Sequence, residues 1–252
     1  NRPQSSSATS PTVAGIRISN PDRVLYADDG ITKLQLARYY ESVADWILPH
    51  LRGRPLTLVR CPEGHESGCF YQKHVTEQVH EAIDRVEVEE ADGRASYMVA
   101  NTAAAVVALA QLGVLELHTW GSKQDRYDRP DRMILDLDPA ADVPWKEVVE
   151  AAFLMKALLD ELKLKSFVKT TGGKGLHVVV PLQHRHSWEE VKSFSKALAE
   201  HMARTIPSRF TDNMSKRART GKVYIDFLRN GQGATAVAAY STRAHFGPPG
   251  MG

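Results

Sequence analysis

Two cysteines in 252 residues leave little material for a covalent framework. Cys61 and Cys69 read as reduced thiols without a disulfide framework, a usage that fits a reducing cytoplasm. The chain also lacks any run of about 18 apolar residues, so no membrane-spanning helix is expected. Its start, Asn1 to Ser7, is polar and serine-rich and lacks the apolar stretch of a secretory signal. An excess of one charge is missing too. The 32 basic and 30 acidic residues leave a formal net charge of +2, too small to announce a nucleic-acid partner by bulk charge. The kinase-type phosphate loop G-x-x-x-x-G-K-[ST] is absent. Cys61, His65, Cys69 and His74 cluster, but without a Cys-x-x-Cys knuckle, so no structural zinc is expected.

What is present can bury a core, since 42% of the residues are hydrophobic. Residues 1–14 read as a disordered leader, and 15–252 as one domain. With no initiator Met and a loop-like Gly247 to Gly252, the chain reads as a piece of a longer polypeptide. Helical spacing of Leu34, Ala37, Tyr40, Ala44 and Leu48 predicts a helix over 34–51 with Thr32 as N-cap. A second, alanine-rich helix is expected over 101–112, capped by Asn101 or Thr102, and strands over 56–60 and 114–118. In the second half, 143–164 and 188–206 read as helices. Trp145, Val148, Val149, Ala152, Met155, Leu159 and Leu162 are expected to share one face of the first. Strands are expected over 133–137, 166–170, 176–181, 222–227 and 234–239, with Asn230-Gly231 as a hairpin signal between the last two. Alternating strands and helices together with tight hairpins predict an α/β (α+β) fold with a central mixed or antiparallel sheet.

Three stretches carry chemistry. In Met133 to Pro139, Asp136 and Asp138 stand two apart on a strand, on one face and about 6–7 Å apart at the backbone. Carboxylates so placed repel unless a cation lies between them, and hard divalent ions take such ligands. A strand merely running into a turn before Pro139 also accounts for the triplet. Asp226 ends a second apolar strand, which alone signals only a turn. Thr171-Gly172-Gly173-Lys174-Gly175 lies between strands, with His177 beyond it. Its glycines would let backbone N–H groups approach phosphate oxygens; a hairpin turn with an exposed lysine fits as well. Lys216, Arg217, Arg219 and Lys222 form a basic cluster that reads equally as a phosphate-facing patch or a solvated loop.

In this order and spacing, D-L-D-P, G-G-K-G-L-H and Y-I-D-F resemble the three motifs of the archaeo-eukaryotic primase superfamily. The likeness is closer still to the polymerase domain of the bacterial multifunctional ATP-dependent DNA ligase D, which works with Ku in non-homologous end joining. It extends to Asp22-Arg23-Val24-Leu25-Tyr26 with Thr32-Lys33, to Gly53-Arg54-Pro55 before Arg60, and to Ala239-Tyr240-Ser241-Thr242-Arg243.

The resemblance implies the primase-polymerase fold, with a smaller N-terminal α/β subdomain beside the central sheet. It implies that Asp136, Asp138 and Asp226 hold two manganese or magnesium ions, and that Thr171, Lys174, Gly175 and His177 bind the triphosphate. Arg219, Arg229 and Arg243 would surround the incoming nucleotide. Arg23 and Lys33 would hold a 5′-phosphate at a DNA end, and Phe70 and Tyr71 would stack on template bases. Arg60 and Lys73 are further candidates for substrate contacts. The implied partners are template-primer, 5′-phosphorylated DNA ends, ribo- or deoxyribonucleoside triphosphates, Ku, and ligase and nuclease domains on the parent chain. The implied activity is primer extension and gap filling with a preference for ribonucleotides. Two departures stand out: Thr171 replaces a serine, and Arg229 replaces an uncharged polar group. An end-binding and bridging module with little catalysis is the alternative, and a metal nuclease a third reading.

Overall fold

Alternation along one strand divides the second half of the molecule. On Arg132–Pro139, Met133, Leu135 and Leu137 face one way into an apolar core. Ile134, Asp136 and Asp138 therefore face the other way. The computed structural model describes residues 10–75, 79–91 and 93–244. Arg132–Pro139 is the middle of a five-stranded sheet in the order Phe167–Thr170, Leu176–Pro181, Arg132–Pro139, Val223–Asp226, Phe210–Thr211. All neighbours are antiparallel except the last pair, which is parallel.

The helices can be numbered α1 (Lys33–Ser42), α2 (Ala44–Leu51), α3 (Ala103–Gln111), α4 (Trp145–Glu161) and α5 (Trp188–Thr205). Helices α4 and α5 cover the apolar face of the five-stranded sheet through Ala151, Met155, Leu159, Val191, Leu198 and Met202. A four-stranded sheet, Thr235–Val237, Val114–Trp120, Leu56–Arg60, Phe70–Gln72, is antiparallel throughout. Its Leu56, Leu58, Leu115 and Leu117 share a second core with α1 to α3. The open faces of the two sheets meet, and Arg132 spans the gap by donating to Thr119 Oγ1 at 2.6 Å and to the Trp120 carbonyl at 2.9 Å.

Most predicted elements form, and their ends follow local chemistry. Thr32 caps α1 with Gln35 in a reciprocal capping box, worth about 1 kcal/mol. Thr102 caps α3 by accepting from Ala105 N. The helix expected over 34–51 is two helices broken at Val43. On α4 the buried face is Val148, Ala151, Met155 and Leu159, whereas Trp145 and Leu162 are exposed.

Three expectations are corrected. The leader does not reach residue 14: residues 1–9 lie outside the described residues, but Thr12–Val13 pairs with Ile16–Arg17 and Val13 is buried. The hairpin at Asn230-Gly231 does not form, because Val223–Asp226 and Thr235–Val237 belong to different sheets. Asn230 is instead buried. It accepts from Ile134 N and donates to Ile134 O, both at 2.7 Å, which continues the central ladder where the Asp226 strand ends. Finally, Cys61 and Cys69 are bonded to each other as a disulfide. The register pairs Arg60 with Phe70, so the next residue outward on each strand is a cysteine, and their Cα atoms lie 4.4 Å apart.

Candidate active site

Strand register builds one row of polar side chains. Lys169 lies opposite His177, His177 opposite Asp136, and Asp136 opposite Asp226. Directly opposed residues bring their Cβ atoms to about 4.5–5.5 Å, so four strands present Lys169, His177, Asp136 and Asp226 side by side. In the neighbouring row, Asp138 faces Tyr224. The three aspartates of the sequence motifs therefore converge on one face, beside the turn that ends in His177.

Basic side chains surround these carboxylates. His177 Nε2 lies 3.3 Å from Asp136 Oδ2, and Arg229 Nε lies 3.4 Å from Asp136 and 3.5 Å from Asp226. Arg219 Nη1 donates to Asp138 Oδ2 at 3.0 Å, and its guanidinium lies 3.9 Å from the centre of the Tyr224 ring. Burial pushes the Asp136 carboxyl up, but His177 and Arg229 outweigh it and hold the group below the ordinary range. Asp138 goes the other way: burial and the neighbouring Asp136 raise it beyond what Arg219 offsets. Burial lowers the His177 imidazole against the pull of Asp136.

The glycine turn is shaped by two close approaches. A Cβ on Gly175 would fall 2.3 Å from the Leu137 carbonyl oxygen, and one on Gly172, whose φ is +72°, would fall 2.8 Å from Arg243 Cγ. Thr171 works inside the turn, where its hydroxyl donates to the Gly175 carbonyl and accepts from Gly173 N. Arg243 Nη1 donates to the Thr171 carbonyl at 2.6 Å. Lys174 is exposed. A cleft of about 260 Å³ runs between the sheets, lined by Asp136, Asp138, Thr171, Lys174, Gly175, His177, Arg229 and Arg243, with Tyr71 and His118 from the four-stranded sheet.

Except for Tyr71, the remaining expected site residues are not among those that line this cleft. Arg23 and Lys33 sit together on the N-terminal side, where Lys33 N donates to the Arg23 carbonyl. Arg23 Nη1 donates to the Pro62 carbonyl and to Glu63. Burial and then the Arg23 charge lower the Lys33 pKa. Phe70 and Tyr71 are both exposed, at 49% and 68%, but do not act as one face. Tyr71 borders the cleft, edge-on to His118, whereas Phe70 lies under the Arg60 guanidinium. Arg60 also donates to Leu112 O and Gln72. Lys73 is exposed just past that strand.

Sequence reasoning missed Lys169 and Glu116. Lys169 donates to the Val237 carbonyl across the two sheets. Glu116 is 2% exposed and accepts from His118 Nε2 at 2.7 Å. Burial pushes Glu116 up, but His118, Arg243 and the Ala244 N–H together hold it below the ordinary range. The signal was available: Glu116 and His118 are two apart on an apolar strand, as Asp136 and Asp138 are. Lys169 leaves no such trace, because only register reveals its row.

Among the described residues, no three His, Cys, Asp or Glu side chains stand ready-made as a metal cage. The donor set nevertheless fits hard divalent cations. Three carboxylates share a face, one of them is raised by burial and by its like-charged neighbour, and among the described residues His177 Nδ1 is buried without a hydrogen-bond partner. The present arginine contacts of the aspartates would have to turn aside.

Comparison with known proteins places this geometry. A family profile described as LigD, primase-polymerase domain, matches residues 32–249. The multifunctional non-homologous end joining protein LigD of Pseudomonas aeruginosa is 43% identical over 98% of this chain and 30% of its own length. The protein of the same name from Mycolicibacterium smegmatis is 32% identical over 92% of the chain and 31% of its own length. The chain thus spans about a third of these relatives. A solved polymerase domain from Mycobacterium tuberculosis ligase D, in complex with DNA, superposes with a TM-score of 0.85 at 30% identity, covering 91% of this chain and 84% of that one. The fold is that of the ligase D polymerase domain, and the chain belongs to the LigD primase-polymerase family.

Proposed function

We propose that this chain is a template-directed nucleotidyltransferase that extends primers and fills gaps at DNA double-strand breaks, within non-homologous end joining. The observation that carries the reading is the register that opposes Asp136 to Asp226, with Asp138 two residues on, beside the glycine turn. In the reaction, the primer 3′-hydroxyl attacks the α-phosphate of a nucleoside triphosphate and pyrophosphate leaves.

Asp136, Asp138 and Asp226 would hold two divalent ions, manganese or magnesium, which when bound lower the pKa of the primer hydroxyl and offset charge on the leaving group. Lys174 and Arg243 bring positive charge to the triphosphate, and the turn offers backbone N–H groups. Arg219 and Arg229 neutralise the aspartates here and would have to turn toward phosphate oxygens once the carboxylates take ions. His177 stays neutral at physiological pH because burial lowers its pKa, so it positions Asp136 without adding charge. Tyr71 offers a ring for base stacking at the cleft mouth.

Arg23 and Lys33 supply the grip on a downstream 5′-phosphate: two adjacent cations, one lowered by burial and by the other, gain from a shared anion. Ribonucleotides are the preferred substrates in this reading, in a cytoplasmic setting where Ku and the ligase and nuclease portions of a longer protein act on the same ends. Primer extension on a gapped duplex, with NTP against dNTP and manganese against magnesium, tests it. Asp138→Ala should lose at least about 10²-fold in extension while binding to 5′-phosphorylated ends persists. Undiminished extension by that variant would remove the site from the reaction.

A further inference from the structure

A single buried carboxylate joins two of the groups that border the cleft. Glu116 sits mid-strand between the buried Leu115 and Leu117, 2% exposed. Burying a lone carboxylate is costly, so its position demands dedicated partners. It has three. Oε2 accepts from His118 Nε2 at 2.7 Å, Oε1 accepts from Ala244 N at 2.8 Å, and Arg243 Nε lies 3.1 Å from Oε1.

Each partner reaches further. Arg243 donates its Nη1 to the Thr171 carbonyl and packs its stem against Gly172, so it holds the glycine turn by backbone and side chain alike. His118 stands edge-on to Tyr71 at the cleft. A carboxylate acceptor at Nε2 fixes the neutral imidazole with its proton on that nitrogen. The chain around Arg243 is strapped to the Glu116 strand as well, by Leu117 N donating to Ser241 Oγ.

We propose that Glu116 is a positioning residue for nucleotide binding, fixing His118 and Arg243 as one unit against the incoming nucleoside triphosphate. This rests on the nucleotidyltransferase reading above. Glu116 touches no substrate; it presets one imidazole and one guanidinium from opposite ends of a single carboxylate. The two oxygens can be separated by chemistry. Glu116→Gln keeps an oxygen for Ala244 and Arg243 but removes the negative charge and turns a donor toward His118 Nε2. Glu116→Ala removes both anchors.

The test uses the chain with a gapped, 5′-phosphorylated duplex, and measures nucleotide binding by calorimetry alongside primer extension. Glu116→Gln should raise the nucleotide KM about tenfold with kcat within about threefold, the pattern of lost uniform binding. Its calorimetric affinity for the triphosphate should fall by a similar factor. Affinity for the 5′-phosphorylated end should stay within about twofold, since Arg23 and Lys33 lie elsewhere. Glu116→Ala combined with Arg243→Gln should cost less than the product of the two single effects, because both break one unit. An unchanged KM, a parallel loss of DNA-end affinity, or strictly multiplicative effects would overturn the proposal. A wild-type chain that binds triphosphate but extends no primer would sink the functional reading. The calorimetric comparison would still decide the role of Glu116.

Discussion

Lys169 shows what a single residue contributes that no motif announces. It ends the polar row and reaches across to the Val237 carbonyl. Burial, then the charge of Arg132, lowers its ammonium to about 7. In the unfolded chain a lysine titrates near 10.4. Between about 7 and 10.4 the unfolded state therefore holds a proton that the folded state has released, and folding stability rises with pH across that window. The penalty is complete below about 7 and absent above the unfolded value. Urea unfolding of the metal-free protein at pH 6.5 and 9.5, against Lys169→Met, reads this directly. The wild type should gain on the order of 2 kcal/mol relative to the variant at the higher pH. Parallel curves would mean that Lys169 is better solvated than its place between the sheets implies. The aspartates, by contrast, were legible as residues, because two carboxylates at strand spacing are conspicuous. Cys61 and Cys69 were misread because their pairing depends on the register of two flanking strands, which spacing alone does not encode.

At the scale of elements, the turn between the two strands Phe167–Thr170 and Leu176–Pro181 is governed by what it touches. Gly175 passes so near the central strand that an added Cβ would meet the Leu137 carbonyl at 2.3 Å, whereas at Gly173 the nearest atom is Thr171 Oγ1 at 3.5 Å. Gly175→Ala should therefore cost about 1–3 kcal/mol by overpacking, and Gly173→Ala should fall within about 0.5 kcal/mol of the wild type. Chemical denaturation of both variants checks the contrast, and equal stabilities would contradict the close approach. Elements of this kind were readable where the signal is local. The Thr32 and Thr102 caps, the apolar strand before Asp136 and the glycine turn all follow from neighbours in sequence. The Asn230-Gly231 hairpin failed because its asparagine is claimed by Ile134, 96 residues away. The helix over 34–51 was misjudged because periodicity continues across the break at Val43.

The whole molecule depends on how two sheets with separate cores are held face to face, and charged contacts join them alongside an apolar cluster that includes Trp120 and Trp188. Arg54 follows α2, and Asp131 immediately precedes the central strand. Their bidentate pair has both nitrogen–oxygen distances at 2.6 Å and side chains only 8% and 11% exposed. Burial pushes Asp131 up, but Arg54 more than offsets it, so the carboxyl lies below its ordinary range. The contribution of the pair is then present above the unfolded carboxylate value near 3.9 and is lost as pH falls through the folded one. Asp131→Asn leaves a buried guanidinium without its counter-ion and should cost about 3–5 kcal/mol at neutral pH. Arg54→Met with Asp131→Leu, which removes both charges, should recover most of that loss. The asparagine variant should also lose part of the acid-side decline in stability that the wild type shows. Urea titrations of the three proteins from pH 7 down to 3 measure both effects. If the double variant is no more stable than Asp131→Asn, then packing rather than charge compensation holds the cleft together, and the charged bridges between the sheets serve the site rather than the fold.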